Sequence, residues 1–505
     1  MVIPLSILFL LACNKDSDLL VEYVVNDPKE ILLNEISVST LTNQSILIEP
    51  IDQETYKEPE KVIITEVTPP KMGEVEIKGN NSIVYIPKPN ETGTDEFKYT
   101  TSITNPNNTT STQTGNISVT ISNKPTNLDY GPLKAFPTAF GAGANASGAR
   151  ASKNAAVYHV TNLNDSGPGS LREGISGVGT KNNRYIVFEV SGTIYLKSVL
   201  YCHASNITIA GQTAPKGGIT LAGNVVQFGG NPAPKNIIMR YINIRPDFKK
   251  TEQDALGFFN SSNVILDHVS VSWGTDEIAS MAGSINNITF QRMLIGESNK
   301  TGTLVGNSNN PSAGSGFSFF NNLWYNISHR FPNINTDGEA EIINNVVYNW
   351  NYRLSNIQGG VRLNHINNYY FRQRTNEYGN NLNKYNGRLR SRDPLIYTAG
   401  NIIAPNVFTD PLADNWGMWS SFQSWEYQSK KFDLNKPEKL PLIFKAKNQH
   451  PLLGIPFPIK PASVAFEDVI RDVGNNKRID RYGNVIYETD KIDAIYLQNV
   501  RNDSP

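Results

Sequence analysis

Three Asn-Asn pairs, Asn321-Asn322, Asn344-Asn345 and Asn367-Asn368, follow one another at intervals of 23 residues, each beside a short alternating apolar run: FSFFNNLW, EIINNVVYNW and NHINNYYF. A fixed period of this length restricts the chain to folds in which one repeat is one structural unit stacked on the next. The runs alternate with a period of two and are rich in Phe, Ile, Val and Tyr, so each unit holds about three short strands with their turns. The expected architecture is all-β, a right-handed parallel β-helix. Its rungs lie about 4.8 Å apart, so residues one repeat apart become neighbours in space. The Asn pairs read as internal amide ladders that satisfy buried backbone at the turns.

At 505 residues the chain exceeds the usual single-domain size. Lys+Arg 46 balances Asp+Glu 46 and no Lys/Arg-rich run stands out, which argues against a nucleic-acid partner. With 39% hydrophobic residues, 38 Gly and 22 Tyr, the composition suits an all-β protein with polar loops rather than a membrane bundle. Two cysteines, Cys13 and Cys202, cannot form a disulfide framework, and Cys202 reads as a small buried hydrophobe.

The start, MVIPLSILFLLACNKDSD, is an apolar run too short to span a bilayer, ending at Leu-Ala-Cys before charged residues. It resembles a bacterial lipoprotein signal peptide, which implies cleavage before Cys13 and acylation of its thiol, although a basic n-region is missing. Asn14 to Asp18 is similar to the acidic tag of surface-exported lipoproteins in Bacteroidetes. The implied location is the cell envelope, as an outer-membrane lipoprotein that is surface-exposed or secreted. The lipid on Cys13 would be the only membrane contact, and the protein is expected to be a monomer.

The expected organisation is a signal peptide over 1–12, a tether over 13–22, a β-sandwich over 23–123, a linker over 124–134, a β-helix over 135–430 and a C-terminal extension over 431–505. Strand-like runs KVIITEV, EVEIKG, SIVYIP, EFKYTTSIT and NISVTIS, punctuated by Pro, Gly and Asn, support the sandwich, which resembles immunoglobulin-like modules of bacterial surface proteins. Ser170-Leu171-Arg172-Glu173 fits a capping box that starts a short helix able to cover the open end of the solenoid. After about residue 372 the repeats dissolve into loops expected to wall a cleft. Ser463 is expected to begin one further helix, SVAFEDVIRDV, ending at Gly474.

Four charged positions fall on successive repeats: Asp254, Asp276, Lys300 and Arg330, at intervals of 22, 24 and 30 residues. Stacking would place them on one face, with Glu252 and Glu277 beside the two aspartates. Carboxylates from neighbouring rungs make an oxygen-rich site suited to Ca²⁺. Zinc is disfavoured, because the six His and two Cys show no ligand spacing.

From Ala135 to about Arg374 the chain resembles the pectate lyases of polysaccharide lyase family 1. The resemblance rests on NVILDHVSVSWGTDE, on NIIMRYINIRP and GITLAG before it and on SHRFP after it, and the tail RIDRYGNVIYETDKIDA is similar to that of the Bacteroidetes branch. It implies that Asp254, Glu252 and Asp276 bind calcium and that Lys300 binds substrate and belongs with Arg330 to the catalytic residues. Arg330 would be the catalytic arginine, which also contacts substrate. Ser280 stands where the second carboxylate of a calcium pair belongs, unless Glu277 takes its place. Asn335 stands at a further substrate-binding arginine position.

The reaction implied is cleavage of α-1,4-linked polygalacturonate (pectate) by β-elimination, leaving a 4,5-unsaturated product end. Removing the C5 proton puts charge beside a carboxylate, which calcium would neutralise, with Arg330 as base in a desolvated cleft. Two other readings stay open. One is a β-helix glycoside hydrolase of polygalacturonase type, which needs a close carboxylate pair. The other is a non-catalytic pectin-binding surface lipoprotein. Asp267-His268 reads as structural, the Asp bonding across rungs. Trp416, Trp419 and Trp425 could stack on sugar rings or pack the loops.

Overall fold

The computed structural model describes residues 35–51, 62–79, 81–104, 109–122, 133–177, 181–246, 252–306, 314–351, 353–371, 383–386, 392–404, 414–421, 425–427, 430–432, 440–480 and 483–503. The leader, Cys13, the acidic stretch after it, most of the linker and much of the loop region after 372 lie outside the described residues. The chain divides into two units, Met1–Tyr130 and Gly131–Pro505.

In the first unit, seven strands form a four-stranded and a three-stranded sheet, as the punctuation pattern predicts. Inward positions of alternating strands, among them Ile64, Tyr85, Phe97, Tyr99, Ile117 and Val119, make a core of their own. Within it the Tyr85 hydroxyl donates to Asp95 at 2.8 Å, and the same carboxylate accepts from the Lys71 and Met72 amides.

The second unit is the expected parallel solenoid. A ten-stranded sheet runs from Ala156–Val160 to Leu395–Ala399, and a seventeen-stranded sheet supplies the other two faces. Its strand pairings are parallel and advance one repeat at a time: Leu323 pairs with Val346 and Val346 with Tyr369, each 23 residues on. Inside the coil, Phe228 stacks on Phe258 with centroids 5.0 Å apart, and Phe290 and Phe319 continue the row. Cys202 is fully buried among these apolar residues, and burial pushes its thiol up to about 12. The helix Leu171–Ile175 forms with Ser170 as its cap, the hydroxyl oxygen accepting from the Glu173 amide.

The second residue of each Asn pair makes the amide ladder. Asn322 donates to Asn345, Asn345 to Asn368, Asn368 to Asn401 and Asn401 to Asn415, at 2.8 to 3.0 Å. The first residue of each pair takes the left-handed turn conformation, with φ of 49° at Asn321, 55° at Asn344 and 51° at Asn367. A second ladder, Asn183, Asn206, Asn236, Asn263 and Asn287, lines another corner.

The C-terminal extension packs on the solenoid with two helices, Ala462–Arg471 and Lys491–Asp503, where the sequence reading finds one. The first begins one residue before Ser463, behind Pro461, and its cap has no side-chain hydrogen bond. It ends at Arg471, ahead of the left-handed Gly474 (φ 76°). Phe466, Val469, Ile470, Tyr496 and Val500 cover an outward apolar row made by Leu323, Tyr325, Val346, Tyr348 and Phe371. Asp267 and His268 join solenoid to extension: Asp267 accepts from Arg240 (2.8 Å) and Gln291 (2.6 Å), and His268 Nε2 meets Asp472 at 3.1 Å. No helix among the described residues is long and apolar enough to cross a membrane.

Candidate active site

The four charged positions come together because the rung register brings them together. The amides of Thr275 and Asp276 donate to the Gln253 carbonyl, Thr301 donates to the Asp276 carbonyl, and Thr301 pairs with His329 on the next strand. Asp254, Asp276, Lys300 and Arg330 therefore occupy one corner of four consecutive rungs. Gly302 lies under Arg330: a Cβ there would sit 2.6 Å from the Arg330 carbonyl oxygen, so this rung approaches closely only with glycine. Arg330 itself is held at φ 72° and Glu252 at φ 65°, in the sparsely populated region where strain collects at functional sites.

Carboxylate oxygens of Asp254, Asp276 and Glu277 lie within 4.8 Å of one another. Lys300 Nζ stands 3.3 Å from both Asp276 and Glu252. The Arg330 guanidinium pairs with Glu277. Asp254 accepts from the Glu277 amide at 3.1 Å and from the Ser280 hydroxyl. Ser280 thus points into the cluster from the place of the missing carboxylate and supplies a donor there. Glu277 is buried and serves both the carboxylate cluster and Arg330, a partnership that rung spacing alone cannot reveal. Asn335 lies apart from the cluster, buried in the strand Asn333–Asn335 with only 1% of its surface exposed.

Burial raises the Asp254 carboxyl above its ordinary range, the Asp276 charge adding to it while Ser280, Arg330 and Lys300 oppose. Desolvation presses the Arg330 guanidinium down, against the pull of Asp276 and Asp254. The Lys300 ammonium loses some solvation, yet Asp276 and Glu252 outweigh that loss and hold it raised. His329, next to Arg330, is pushed down to about 3 by burial and then by the Arg353 charge, so it stays neutral and adds no positive charge to the site near neutrality.

These residues fit a hard divalent cation. All the donors are oxygens, and one carboxyl is held above its ordinary range. Among the described residues, four carboxylates, Glu252, Asp254, Asp276 and Glu277, face two cations, Lys300 and Arg330. Asp254, Asp276 and Glu277 are the group placed to hold it. Trp416 and Trp419 are buried at 5% and 1% in the apolar core of the solenoid, while the Trp425 side chain lies outside the described residues.

A bacterial Ig domain family matches residues 26–120, the strands of the first unit. The chain is 40% identical over 241 residues to a protein of Aspergillus flavus named "Probable pectate lyase C", covering 47% of this chain and 54% of that protein. Its namesake in Aspergillus fumigatus is 41% identical over 203 residues, 40% of this chain and 45% of the relative. The chain spans about half the length of the curated relatives it matches. An alignment of 241 residues exceeds the whole of Met1–Tyr130 and so reaches into the solenoid unit. Solved structures similar to the chain include a pectate lyase from Bacillus sp. N165 in complex with trigalacturonate, at TM-score 0.45 and 16% identity over 66% of this chain and 98% of that one. Another is a Bacillus subtilis pectate lyase mutant, at TM-score 0.47 and 11% identity over 69% of this chain and 99% of that one. The resemblance to pectate lyases read from the sequence motifs is borne out by the two Aspergillus relatives.

Proposed function

We propose that the chain is a polysaccharide lyase that cleaves α-1,4-linked polygalacturonate by β-elimination at the Asp254–Arg330 corner, with calcium as cofactor. The observation that carries this reading is the stack itself: three carboxylates within 4.8 Å, with Lys300 and Arg330 on the two rungs that follow. Relatives named pectate lyase support it.

Calcium held by Asp254, Asp276 and Glu277 would neutralise the substrate carboxylate beside the reacting carbon. Lys300 is half exposed at the mouth of the cluster and can exchange Glu252 for a substrate carboxylate. Arg330, its charged form disfavoured by burial, gives its own proton to solvent as its pair with Glu277 opens, and as the neutral guanidine it takes the proton from C5. The C5–H electron pair becomes the C4–C5 double bond, the C4–O bond breaks, and the leaving oxygen takes a proton from water. Arg330 returns its proton to solvent.

Ultraviolet absorbance of the unsaturated product, followed with polygalacturonate and added calcium, tests this. The wild-type signal should rise, vanish with EDTA, and fall by about a thousandfold or more in Arg330→Ala. New reducing ends without that absorbance would mean a hydrolase, a reading favoured by the closeness of the carboxylates. Neither signal would leave a binding protein or another uronate polymer.

A further inference from the structure

Around the corner from the charged stack, the strands Gly192–Tyr195, Ile219–Ala222, Asn243–Ile244 and Ser270–Ser272 form one face of the solenoid. Tyr195 pairs with Ala222, Leu221 with Ile244 and Ile244 with Val271, so Tyr195, Ala222, Arg245 and Ser272 stack in order, with Trp273 next. Ala222 leaves a notch between larger neighbours. With residues 478 and 488–492 of the C-terminal extension opposite, this makes a cavity of about 540 Å³, within the range of ligand sites.

Its lining has the makings of sugar recognition. Tyr195 is 67% exposed, and Trp273 38%, with its indole N–H fixed by the Tyr496 hydroxyl at 3.1 Å. Thr193 and Thr220 add hydroxyls. Trp273 has φ 69°, in a left-handed slot that Glu297 (57°) fills on the next rung and asparagine on the two after it, at Asn326 (57°) and Asn349 (60°). A bulky aromatic is unfavourable there, so its presence points to use of the ring.

Two arginines close the floor. Arg245, 3% exposed, is held by Asp490 and Asp493 at 2.7 Å each, and its Nε donor has no partner. Arg478, 2% exposed, donates to Asn475 and to the Lys477 carbonyl. Its Nε also lacks a hydrogen bond, and Glu488 stands 3.9 Å away with one oxygen engaged by the Gly217 amide. A buried donor without an acceptor is costly, and a ligand bringing anionic or hydroxyl oxygens would supply one.

We propose that this cavity is a second carbohydrate site, which binds a short acidic oligosaccharide by stacking on Tyr195 and Trp273 and by hydrogen bonds to the Arg478 side. The identity of the sugar as galacturonate rests on the function proposed above. The site itself needs no metal.

Calorimetry with trigalacturonate in EDTA, on the full chain carrying Arg330→Ala, tests it. Binding should persist without calcium and weaken about tenfold in Tyr195→Ala and in Trp273→Asn. The second change installs the residue that Asn326 and Asn349 supply in the same backbone slot two and three rungs on, so it removes the ring and keeps the turn. Binding that is absent in EDTA, or unmoved by both changes, overturns the site. Equal binding of a neutral galactose trisaccharide overturns the acidic assignment. If the wild type gives no unsaturated product while Tyr195-dependent binding remains, the lyase reading falls and this site stands; the converse result separates them the other way.

Discussion

Two corners of the same coil carry opposite kinds of stack. At one, Asn322, Asn345, Asn368, Asn401 and Asn415 repeat a single residue through five positions. At the other, Asp254, Asp276, Lys300 and Arg330 follow one another with Glu252 and Glu277 alongside. An amide both donates and accepts, so a column of amides satisfies itself and grows without limit. A carboxylate only accepts, so a column of carboxylates repels itself until a cation enters. The raised Asp254 carboxyl, driven by burial and then by Asp276, is the mark of that unfinished state. The same rung geometry therefore gives stability where the residue is neutral and dipolar, and a demand for a ligand where it is charged.

The most direct way to break the comparison is to remove a ladder member. Asn345 donates to Phe319, Ile343 and Asn368, and accepts from both the backbone and the side chain of Asn322. Asn345→Ala would leave several buried groups unsatisfied at once, and should cost the solenoid unit about 3–5 kcal/mol in urea unfolding. A loss below about 1 kcal/mol would mean that the ladder follows the fold rather than holding it.

How far each stack can be read in the sequence depends on the loops between its members. The pairs at 321, 344 and 367 keep one spacing because the turns between those rungs have equal length. The ladder from Asn183 to Asn287 has intervals of 23, 30, 27 and 24, and that irregularity hides it. The charged corner was legible despite a loop before Arg330, because charge is rare on these strands. Its internal pairing was not: spacing tells which rung a side chain sits on, and only packing tells that Glu277 turns to Arg330. The helix Lys491–Asp503 escaped for a different reason. Its buried stripe includes Asp493, a residue that reads as solvent-facing. Asp493 is tolerated inside because Arg245, Ser270 and Asn475 meet it there, the first two more than 200 residues away in sequence.

A single carboxyl set in a neutral row sharpens the contrast. On the ten-stranded sheet, Ser318, Glu341 and Asn364 stack, and Glu341 accepts from Ser318 at 2.9 Å and from the Leu453 amide at 3.1 Å. Its second oxygen has no partner, and burial, partly offset by those two hydrogen bonds, raises the carboxyl from 4.5 to about 7. Between these values the folded chain holds a proton that the unfolded chain has lost, so stability falls as pH rises through this window and is flat above it. The full cost is about 3 kcal/mol. Glu341→Gln should flatten this part of the stability–pH profile. An unchanged slope between pH 5 and 7 would show that Glu341 titrates at an ordinary value.

The smallest effect is the most specific to the charged corner. Ser280 now donates its hydroxyl to Asp254, which eases one carboxylate without adding another. Ser280→Asp would replace that donor by a fourth acceptor beside Asp254, Asp276 and Glu277. Without calcium, the added repulsion should lower stability by about 1 kcal/mol, screened by partial exposure. With calcium, the extra oxygen ligand should reverse the sign, so the thermal shift on adding the metal should be larger in the variant than in the wild type. Equal shifts would mean that the ion does not reach residue 280. A destabilisation that calcium leaves untouched would mean that this corner is a repulsive stack held apart by Lys300 and Arg330 alone, and that the likeness to a metal site ends at its carboxylates.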